Sequence, residues 1–381
     1  MVSLGEPAAL VAIDRTRAQA LGIEGGPVWD KPDVGLDAAT FEAPTEVHLS
    51  VTSRCPVGCR GCYVDARPQG HQPSFEELRE RLEALAGAGV FRVAFGGGEA
   101  LLRDDLDRLA AVAVELGIEP TMTTSGLGLT PQRASRLRGF AQINVSWDGP
   151  EGVYEQVRGV GKAPREMAVR AIDALLGAGI TVGINTVLTQ VNFGSLAAIA
   201  AEAYELGATE LQLLRYKPAG RATLDYLESR LSLAQREALP NVLREIVERE
   251  QIRVRIDCSM IPYFSRDETI DVMTMRAWGV QGCEGGRSLM TVGAEGKVAP
   301  CSFWPKGGEG MSLSDPDAWF KDSALEGFRH HAQNPPAPCS SCALATICRG
   351  GCRVVSRHVA GDAWRPDPEC PRVVHYGLGK P

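Results

Sequence analysis

Residues 53–63 read SRCPVGCRGCY, and this run decides how the chain is interpreted. Its cysteines, Cys55, Cys59 and Cys62, are spaced C-x3-C-x2-C, which suits three thiolates that bind three irons of one [4Fe-4S] cube. Such clusters normally take four cysteines, so one iron is left open to another molecule, and Tyr63 can pack over it. A zinc site is the alternative, but zinc prefers a closed set of four ligands.

The chain around this run alternates apolar, β-branched segments with amphipathic ones between residues 46 and 250. Strands that are nearly all apolar pair in parallel beneath covering helices, and right-handed crossovers curl such a sheet into a full or partial barrel. The pattern predicts an α/β fold with its chemistry at the C-terminal strand ends, where the three cysteines lie. The predicted strands are 46–52, 90–96, 119–125, 142–148, 181–188 and 210–216. The predicted helices are 74–85, 103–116, 131–138, 165–178, 192–206 and 232–249.

The cysteine spacing and the strand-like Glu46–Thr52 before it resemble the radical S-adenosylmethionine (radical SAM) superfamily. The resemblance implies a partial (β/α)6 barrel and an S-adenosylmethionine (SAM) molecule whose amino and carboxylate groups chelate the open iron. It also implies reductive cleavage of SAM to a 5′-deoxyadenosyl radical. We predict an N-terminal extension over residues 1–44, the barrel over 45–255 and a loop-rich iron–sulfur domain over 256–381.

The resemblance extends to a SAM pocket at the strand ends. Gly97, Gly98 and Glu99 resemble the family's Gly-Gly-Glu-Pro segment, which holds the SAM amino group, although Ala100 replaces the proline. Glycine there lets the backbone approach a ligand closely. The other predicted cofactor contacts are Tyr63, Ser125, Ser146 and Arg158.

Structural roles remain open for several of these polar residues. Arg158 fits either a carboxylate clamp or a surface ion pair, and Asp148 fits either the pocket or a turn cap. Arg215 on the sixth strand points to the same strand-end face in this prediction. A structural hydrogen bond explains each polar group equally well.

Eight further cysteines follow residue 255, where the alternation stops. Seven of them resemble the SPASM domain, an extension that binds auxiliary [4Fe-4S] clusters. The resemblance assigns one distal cluster and one cluster nearer the barrel. The distal ligands are Cys339, Cys342, Cys348 and Cys370; the proximal ligands are Cys283, Cys301 and Cys352.

Cys258 is the cysteine left unassigned. Relatives often supply a fourth proximal ligand from the position that is Ala277 here, so Cys258 is either that missing ligand or the cluster keeps an open iron. Cys258 also fits a hydrogen-atom donor to a substrate radical, or a small buried apolar residue.

The composition of the chain indicates which binding partners and which cellular compartment are expected. The net charge of −7 disfavours nucleic acid, because neutralising phosphate needs clustered Lys and Arg. No run of about 18 apolar residues predicts a membrane span, and no signal peptide is visible. Eleven cysteines then indicate metal ligation in a reducing cytoplasm rather than disulfides.

The resemblance implies an oxidoreductase in which auxiliary clusters take an electron from a substrate radical. We predict a ribosomal-peptide maturase that forms a C–C or thioether side-chain cross-link. Its partners would be a flavodoxin- or ferredoxin-type electron donor and a separate leader-peptide recognition protein, because residues 1–44 are too short for a winged-helix leader domain. The alternatives are a dehydrogenase or epimerase of a small polyol or aminoglycoside in antibiotic biosynthesis, and a non-enzymatic iron–sulfur electron carrier.

Overall fold

A computed structural model describes residues 2–5, 8–11, 41, 43–267, 269–270, 272–277, 280–305 and 310–378. Within this part of the chain the strands form a two-stranded hairpin and one nine-stranded sheet. The strands are β1 (Val2–Gly5), β2 (Ala8–Val11), β3 (Glu46–Thr52), β4 (Arg92–Gly97), β5 (Glu119–Thr124), β6 (Gln142–Ser146), β7 (Val182–Leu188), β8 (Glu210–Arg215), β9 (Arg253–Ile256), β10 (Leu289–Val292) and β11 (Val298–Ala299).

Strands β3 to β9 pair in parallel and in chain order, which is the arrangement that successive right-handed βα units produce. All six predicted strands are confirmed, and a seventh parallel strand, β9, lies in a run at residues 252–257 that alternates apolar and polar side chains. The sheet continues beyond β3, because β10 pairs in parallel with β3 and β11 pairs antiparallel with β10. The sequence did not predict β10 and β11, which are too short to show a period.

Helices cover the outer face of the sheet, and the six predicted helices are confirmed as α1, α2, α3, α5, α6 and α8 of the list below. Ser74 caps α1 in a capping box with Glu77, as its sequence indicates. The helices are α1 (Phe75–Gly87), α2 (Leu106–Glu115), α3 (Pro131–Arg136), α4 (Val153–Arg158), α5 (Ala163–Gly177), α6 (Leu196–Glu205), α7 (Tyr226–Ser229), α8 (Leu233–Arg249), α9 (Val272–Ala277), α10 (Ala318–Lys321), α11 (Ser323–Gln333), α12 (Ala345–Cys348), α13 (Arg353–Ala360) and α14 (Pro371–Leu378).

The two faces of the sheet differ in the polarity of their side chains. On β3, Val47, Leu49 and Val51 are buried in the apolar core beneath the helices, so Glu46 and His48 face the opposite side. Burial would raise the pKa of Glu46, but His48, Arg92 and Arg255 on β9 hold it below its ordinary value. A flat sheet would place strands six positions apart about 28 Å from each other, so the influence of Arg255 on Glu46 requires a curved sheet around an interior lumen.

The N-terminal segment, predicted as an irregular extension, begins with the β1–β2 hairpin. Residues 12–40 lie outside the described residues. No helix within the described ranges has both the length and the apolar character needed to cross a membrane.

Candidate active site

The loop bearing Cys55, Cys59 and Cys62 follows β3, at the C-terminal end of the parallel strands. Arg221, just after β8, fixes this loop from the side. Its Nε donates to the carbonyl of Cys59 at 3.0 Å, and its backbone N–H donates to the carbonyl of Cys62 at 3.0 Å. Its Nη1 reaches the carbonyl of Ala66 at 2.9 Å. No pattern in the sequence around Arg221 indicates this role.

Gly220 beside Arg221 must be glycine for two reasons. Its φ is +55°, a left-handed conformation that favours glycine. An added Cβ would lie 2.4 Å from the carbonyl oxygen of Cys62 and 2.6 Å from that of Tyr63. The cysteine loop therefore lies directly against the turn after β8.

The thiols of this loop suit a cation-bearing ligand. Burial raises the pKa of Cys55 to about 11; a backbone hydrogen bond from Val57 opposes this, and the charges of Glu99, Cys59 and Cys62 add to it. Without a cation the thiol stays protonated, so metal binding would release its proton. An iron–sulfur cluster supplies the positive charge that these sulfurs lack.

Glu99 ties together the ends of β4 and β5. Its Oε1 accepts from the Leu101 amide at 3.0 Å and the Thr124 hydroxyl at 2.6 Å. Its Oε2 accepts from the Ser125 amide at 2.8 Å and the Ser125 hydroxyl at 2.5 Å. These bonds occupy the usual acceptor sites of a carboxylate, so Glu99 and Ser125 shape the strand ends that would face SAM.

The glycines before Glu99 have a packing reason that the sequence did not reveal. A Cβ on Gly97, whose φ is +108°, would lie 2.2 Å from the carbonyl oxygen of Thr52. A Cβ on Gly98 would lie 2.1 Å from the carbonyl oxygen of Arg54. The end of β4 therefore runs against the entrance to the cysteine loop.

Arg158 forms a buried ion pair rather than a surface one. Its Nε lies 2.6 Å from Oδ2 of Asp148, and its Nη1 lies 3.7 Å from the Cys59 sulfur. Asp148 also accepts from the amide of Val187 at 2.7 Å, so it holds the end of β7 instead of capping a turn. Ser146 lies half-buried at the end of neighbouring β6.

The four cysteines assigned to the distal cluster come together. All four line one cavity, which is also lined by Pro262, Ser265 and Arg372. The Cys370 sulfur lies 3.1 Å from the Ser265 hydroxyl. The cavity-lining cysteines are Cys339, Cys342, Cys348 and Cys370.

The cysteines assigned to the proximal cluster form a second group, and Cys258 lies with them. Cys301 and Cys352 pack in one apolar cluster. Burial raises the pKa of Cys301 to about 12, and the charges of Cys283 and Cys352 add to this. Burial also raises the pKa of Cys258, with further contributions from Asp257, Cys283 and Cys352. Cys258 therefore lies within charge–charge range of two predicted ligands.

Within the described ranges, no three Cys, His, Asp or Glu side chains converge closely enough to hold a single metal ion. A mononuclear zinc site requires such convergence, because its four ligands share one ion. The thiolates of a cube stand further apart, since each binds a different iron.

The C-terminal cysteine region is fastened to the barrel by buried charges. Arg215, predicted near the SAM pocket, instead binds Asp367 through two contacts of 2.6 and 3.0 Å and Glu369 at 2.9 Å. Asp367 also accepts from the amide of Cys352 at 2.9 Å. Of the two interpretations of Arg215, a contact near the SAM pocket and a structural hydrogen bond, the structure therefore supports the structural one.

Aromatic contacts bring the first cysteine loop to the proximal cysteines. Tyr63 packs on Phe303 with ring centroids 4.7 Å apart, and burial raises the pKa of Tyr63 to about 12. The buried Lys217 lies 4.1 Å above the Phe303 ring and pairs with Asp257. Lys217 was not singled out from the sequence, because nothing local distinguishes it from a surface lysine.

Comparison with known proteins agrees with this geometry. Residues 49–203 match the model of the Radical SAM superfamily. The AdoMet-dependent heme synthase of Nitratidesulfovibrio vulgaris is 26% identical over 337 residues, which cover 84% of this chain and 90% of that protein. The PqqA peptide cyclase of Bradyrhizobium diazoefficiens is 29% identical over 345 residues, 87% of each chain. The crystal structure of Streptococcus suis SuiB bound to the precursor peptide SuiA matches with a TM-score of 0.71 at 19% identity, over 87% of this chain and 76% of that one. The likeness to SuiB shows that the two chains share a fold, and the family model matches the part of that fold from β3 to α6.

Proposed function

We propose that this chain is a radical SAM enzyme that oxidises a ribosomally made peptide and forms a side-chain cross-link. The observation that carries the proposal is the meeting of three cysteine groups at one end of the barrel. The cysteine loop after β3 reaches the proximal group through the Tyr63–Phe303 contact. Arg215 joins the barrel to the chain between Cys352 and Cys370.

The cysteine groups fit three [4Fe-4S] clusters. Cys55, Cys59 and Cys62 would hold the first cluster and leave one iron for SAM, beneath the strand end shaped by Glu99 and Ser125. When bound, these groups would supply a 5′-deoxyadenosyl radical and a nearby acceptor for one electron. An electron donor of the flavodoxin or ferredoxin type would reduce the first cluster.

Two similar proteins whose names or structures involve a peptide support a peptide as the class of substrate. One relative is a PqqA peptide cyclase, and SuiB was crystallised with a precursor peptide. We infer that this chain acts on a peptide as well, with leader recognition supplied by a separate protein. The barrel would position one side chain of the peptide substrate and exclude water around that side chain.

The test is an anaerobic incubation of the reconstituted, reduced protein with SAM and a pool of short synthetic peptides of randomised sequence. We expect 5′-deoxyadenosine and peptides lighter by two hydrogen atoms, both detected by mass spectrometry. A parallel panel of polyols and aminoglycosides serves as the comparison. Oxidation or epimerisation confined to that panel would overturn the peptide assignment, and a lack of 5′-deoxyadenosine would overturn the radical chemistry.

Cys258 is proposed as the fourth ligand of the proximal cluster, because it lies near Cys283 and Cys352 and follows β9, which pairs beside β8. The Cys258→Ala protein should lose iron or show an altered electron paramagnetic resonance signal from that cluster. Cys352→Ala, which removes a ligand assigned by the resemblance, is the matched variant and should alter the same signal.

Two other outcomes would identify a different role for Cys258. Intact iron and active SAM cleavage with diverted product would indicate a hydrogen-atom donor. Intact iron, unchanged product and a stability loss of about 1 kcal/mol would indicate packing alone. Either result contradicts the ligand assignment.

A further inference from the structure

The cysteine loop after β3 lies at the surface of the protein. Exposed residues alternate there with half-buried ones, so Cys55 and Cys59 each have an exposed neighbour on both sides. The exposed residues are Arg54, Pro56, Gly58 and Arg60. A Cβ added to Gly58 would meet no atom beyond its chain neighbours within 4 Å in the described part of the chain. Another protein can therefore touch the loop that is proposed to hold the first cluster.

The exposed face of this loop is basic. Residues 53–71 contain three arginines and one aspartate, although the whole chain carries a net charge of −7. The side chains of Arg60 and Arg67 are 56% and 67% exposed. The aspartate, Asp65, lies 3.1 Å from Arg67 and 2.8 Å from Arg221. Two arginines therefore share one carboxylate, and positive charge remains on this face.

Two exposed leucines adjoin the basic loop. Leu224, on the turn before α7, is 86% exposed, and Leu227, on α7, is 59% exposed. Arg221 holds this turn against the cysteine loop, and Asp225 next to Leu224 lies 3.9 Å from Arg60. Apolar side chains that are rimmed by arginines are typical of a surface that binds another protein.

The proposed function needs an electron from outside the chain, because reductive cleavage of SAM consumes one electron. A protein that carries this electron has to leave again after each transfer, and encounters of this kind bury a small interface of less than about 1,200 Å². One exposed loop and one exposed turn suit a contact of that size. Opposite charge on two proteins speeds their encounter, so the arginines favour an acidic carrier. The peptide substrate, by contrast, has to reach the SAM pocket inside the barrel.

We propose that the cysteine loop and the two leucines beside it form a docking face for an acidic one-electron carrier protein. On this docking face Arg54, Arg60 and Arg67 meet carboxylates of the carrier, and Leu224 packs against an apolar residue near the carrier's cofactor. The carrier gives up one electron, and SAM takes up that electron as its bond between sulfur and the 5′ carbon breaks, which leaves methionine and the 5′-deoxyadenosyl radical. The inference rests on the proposed radical chemistry and identifies the surface at which its electron enters.

The test measures 5′-deoxyadenosine formed by the reconstituted holoprotein with two kinds of reductant. The carriers are an acidic flavodoxin and an acidic ferredoxin, each kept reduced by its NADPH-dependent reductase, and titanium(III) citrate is the small reductant that needs no docking face. We expect Leu224→Asp, and separately Arg60→Gln with Arg67→Gln, to raise the carrier concentration for the half-maximal rate about tenfold. The rate with titanium(III) citrate should stay at the wild-type level, because Asp65 keeps its contact with Arg221.

Matched control variants change the opposite end of the barrel. Val247→Asp places the same charge on a valine that is 61% exposed near the end of α8, and Arg249→Gln with Arg253→Gln removes two exposed arginines next to the start of β9. Neither control should alter the dependence on carrier concentration. Added salt should weaken carrier binding to the wild-type protein, and the variant that lacks Arg60 and Arg67 should respond less to salt.

The outcomes distinguish this inference from the function on which it rests. An unchanged carrier dependence in both docking-face variants overturns the inference, as does an equal loss of rate with titanium(III) citrate. A changed dependence on peptide concentration alone would assign the face to the peptide and overturn it too, and so would a wild-type protein that accepts electrons from titanium(III) citrate but from neither carrier. A wild-type protein that cleaves no SAM with any reductant counts against the proposed radical chemistry instead.

Discussion

Replacing Cys55, Cys59 and Cys62 together by alanine is expected to abolish SAM cleavage and to remove about one third of the bound iron. The three sulfurs lie in one loop whose backbone Arg221 and the Gly220 turn hold in place. Without them no iron remains beneath the strand end of Glu99 to bind SAM. Iron analysis after anaerobic reconstitution and chromatography of 5′-deoxyadenosine measure the two effects.

The matched control is the triple replacement of Cys339, Cys342 and Cys348 by alanine. These residues line the separate cavity near Cys370, so this variant should also lose about one third of the iron. Its cleavage of SAM should survive, because the first cluster is untouched. Cleavage that persists without Cys55, Cys59 and Cys62, or zinc bound in place of iron, would contradict the assignment.

Replacing Arg215 by methionine is expected to lower the free energy of unfolding by about 3–5 kcal/mol. Arg215 is 3% exposed, and its guanidinium contacts the carboxylates of Asp367 and Glu369, residues that are each 1% exposed. Removing Arg215 leaves the buried carboxylate of Asp367 without its arginine partner, whereas Glu369 keeps Arg230. A buried charge that has lost its partner costs more than the pair itself contributes. Because Asp367 also holds the amide of Cys352, the spectrum of the proximal cluster should change as well.

Denaturant unfolding of the reconstituted protein measures this loss, with Arg253→Met as the control. Arg253 is 76% exposed in its side chain and lies 3.9 Å from Glu210, so its removal should change the stability by no more than about 0.5 kcal/mol. Equal stability of the two variants would show that the Arg215 network does not fasten the cysteine region to the barrel.

Local sequence patterns were sufficient to predict the parallel sheet and the grouping of the first three cysteines in one loop. Nearly continuous apolar segments such as Val182–Leu188 belong to strands covered on one face by helices, and their alternation with amphipathic helices leaves few topologies. The capping box at Ser74 and Glu77 depends on residues three apart. The spacing of Cys55, Cys59 and Cys62 is local in the same way, because one short loop presents all three sulfurs.

Only the tertiary structure decided which distant polar groups meet. Arg215 and Asp367 are 152 residues apart, and His48 and Ser302 are 254 apart. Contacts between residues so far apart produce no periodic pattern or characteristic spacing in the sequence. The sequence also does not distinguish an arginine that is buried from one that is exposed. Cys258 shows the same limit: the sequence left three roles open, and the folding of β9 beside β8 brought it near Cys283 and Cys352. The sequence therefore determined the strands, helices and clustered cysteines, whereas packing across the barrel determined which side chains share each site.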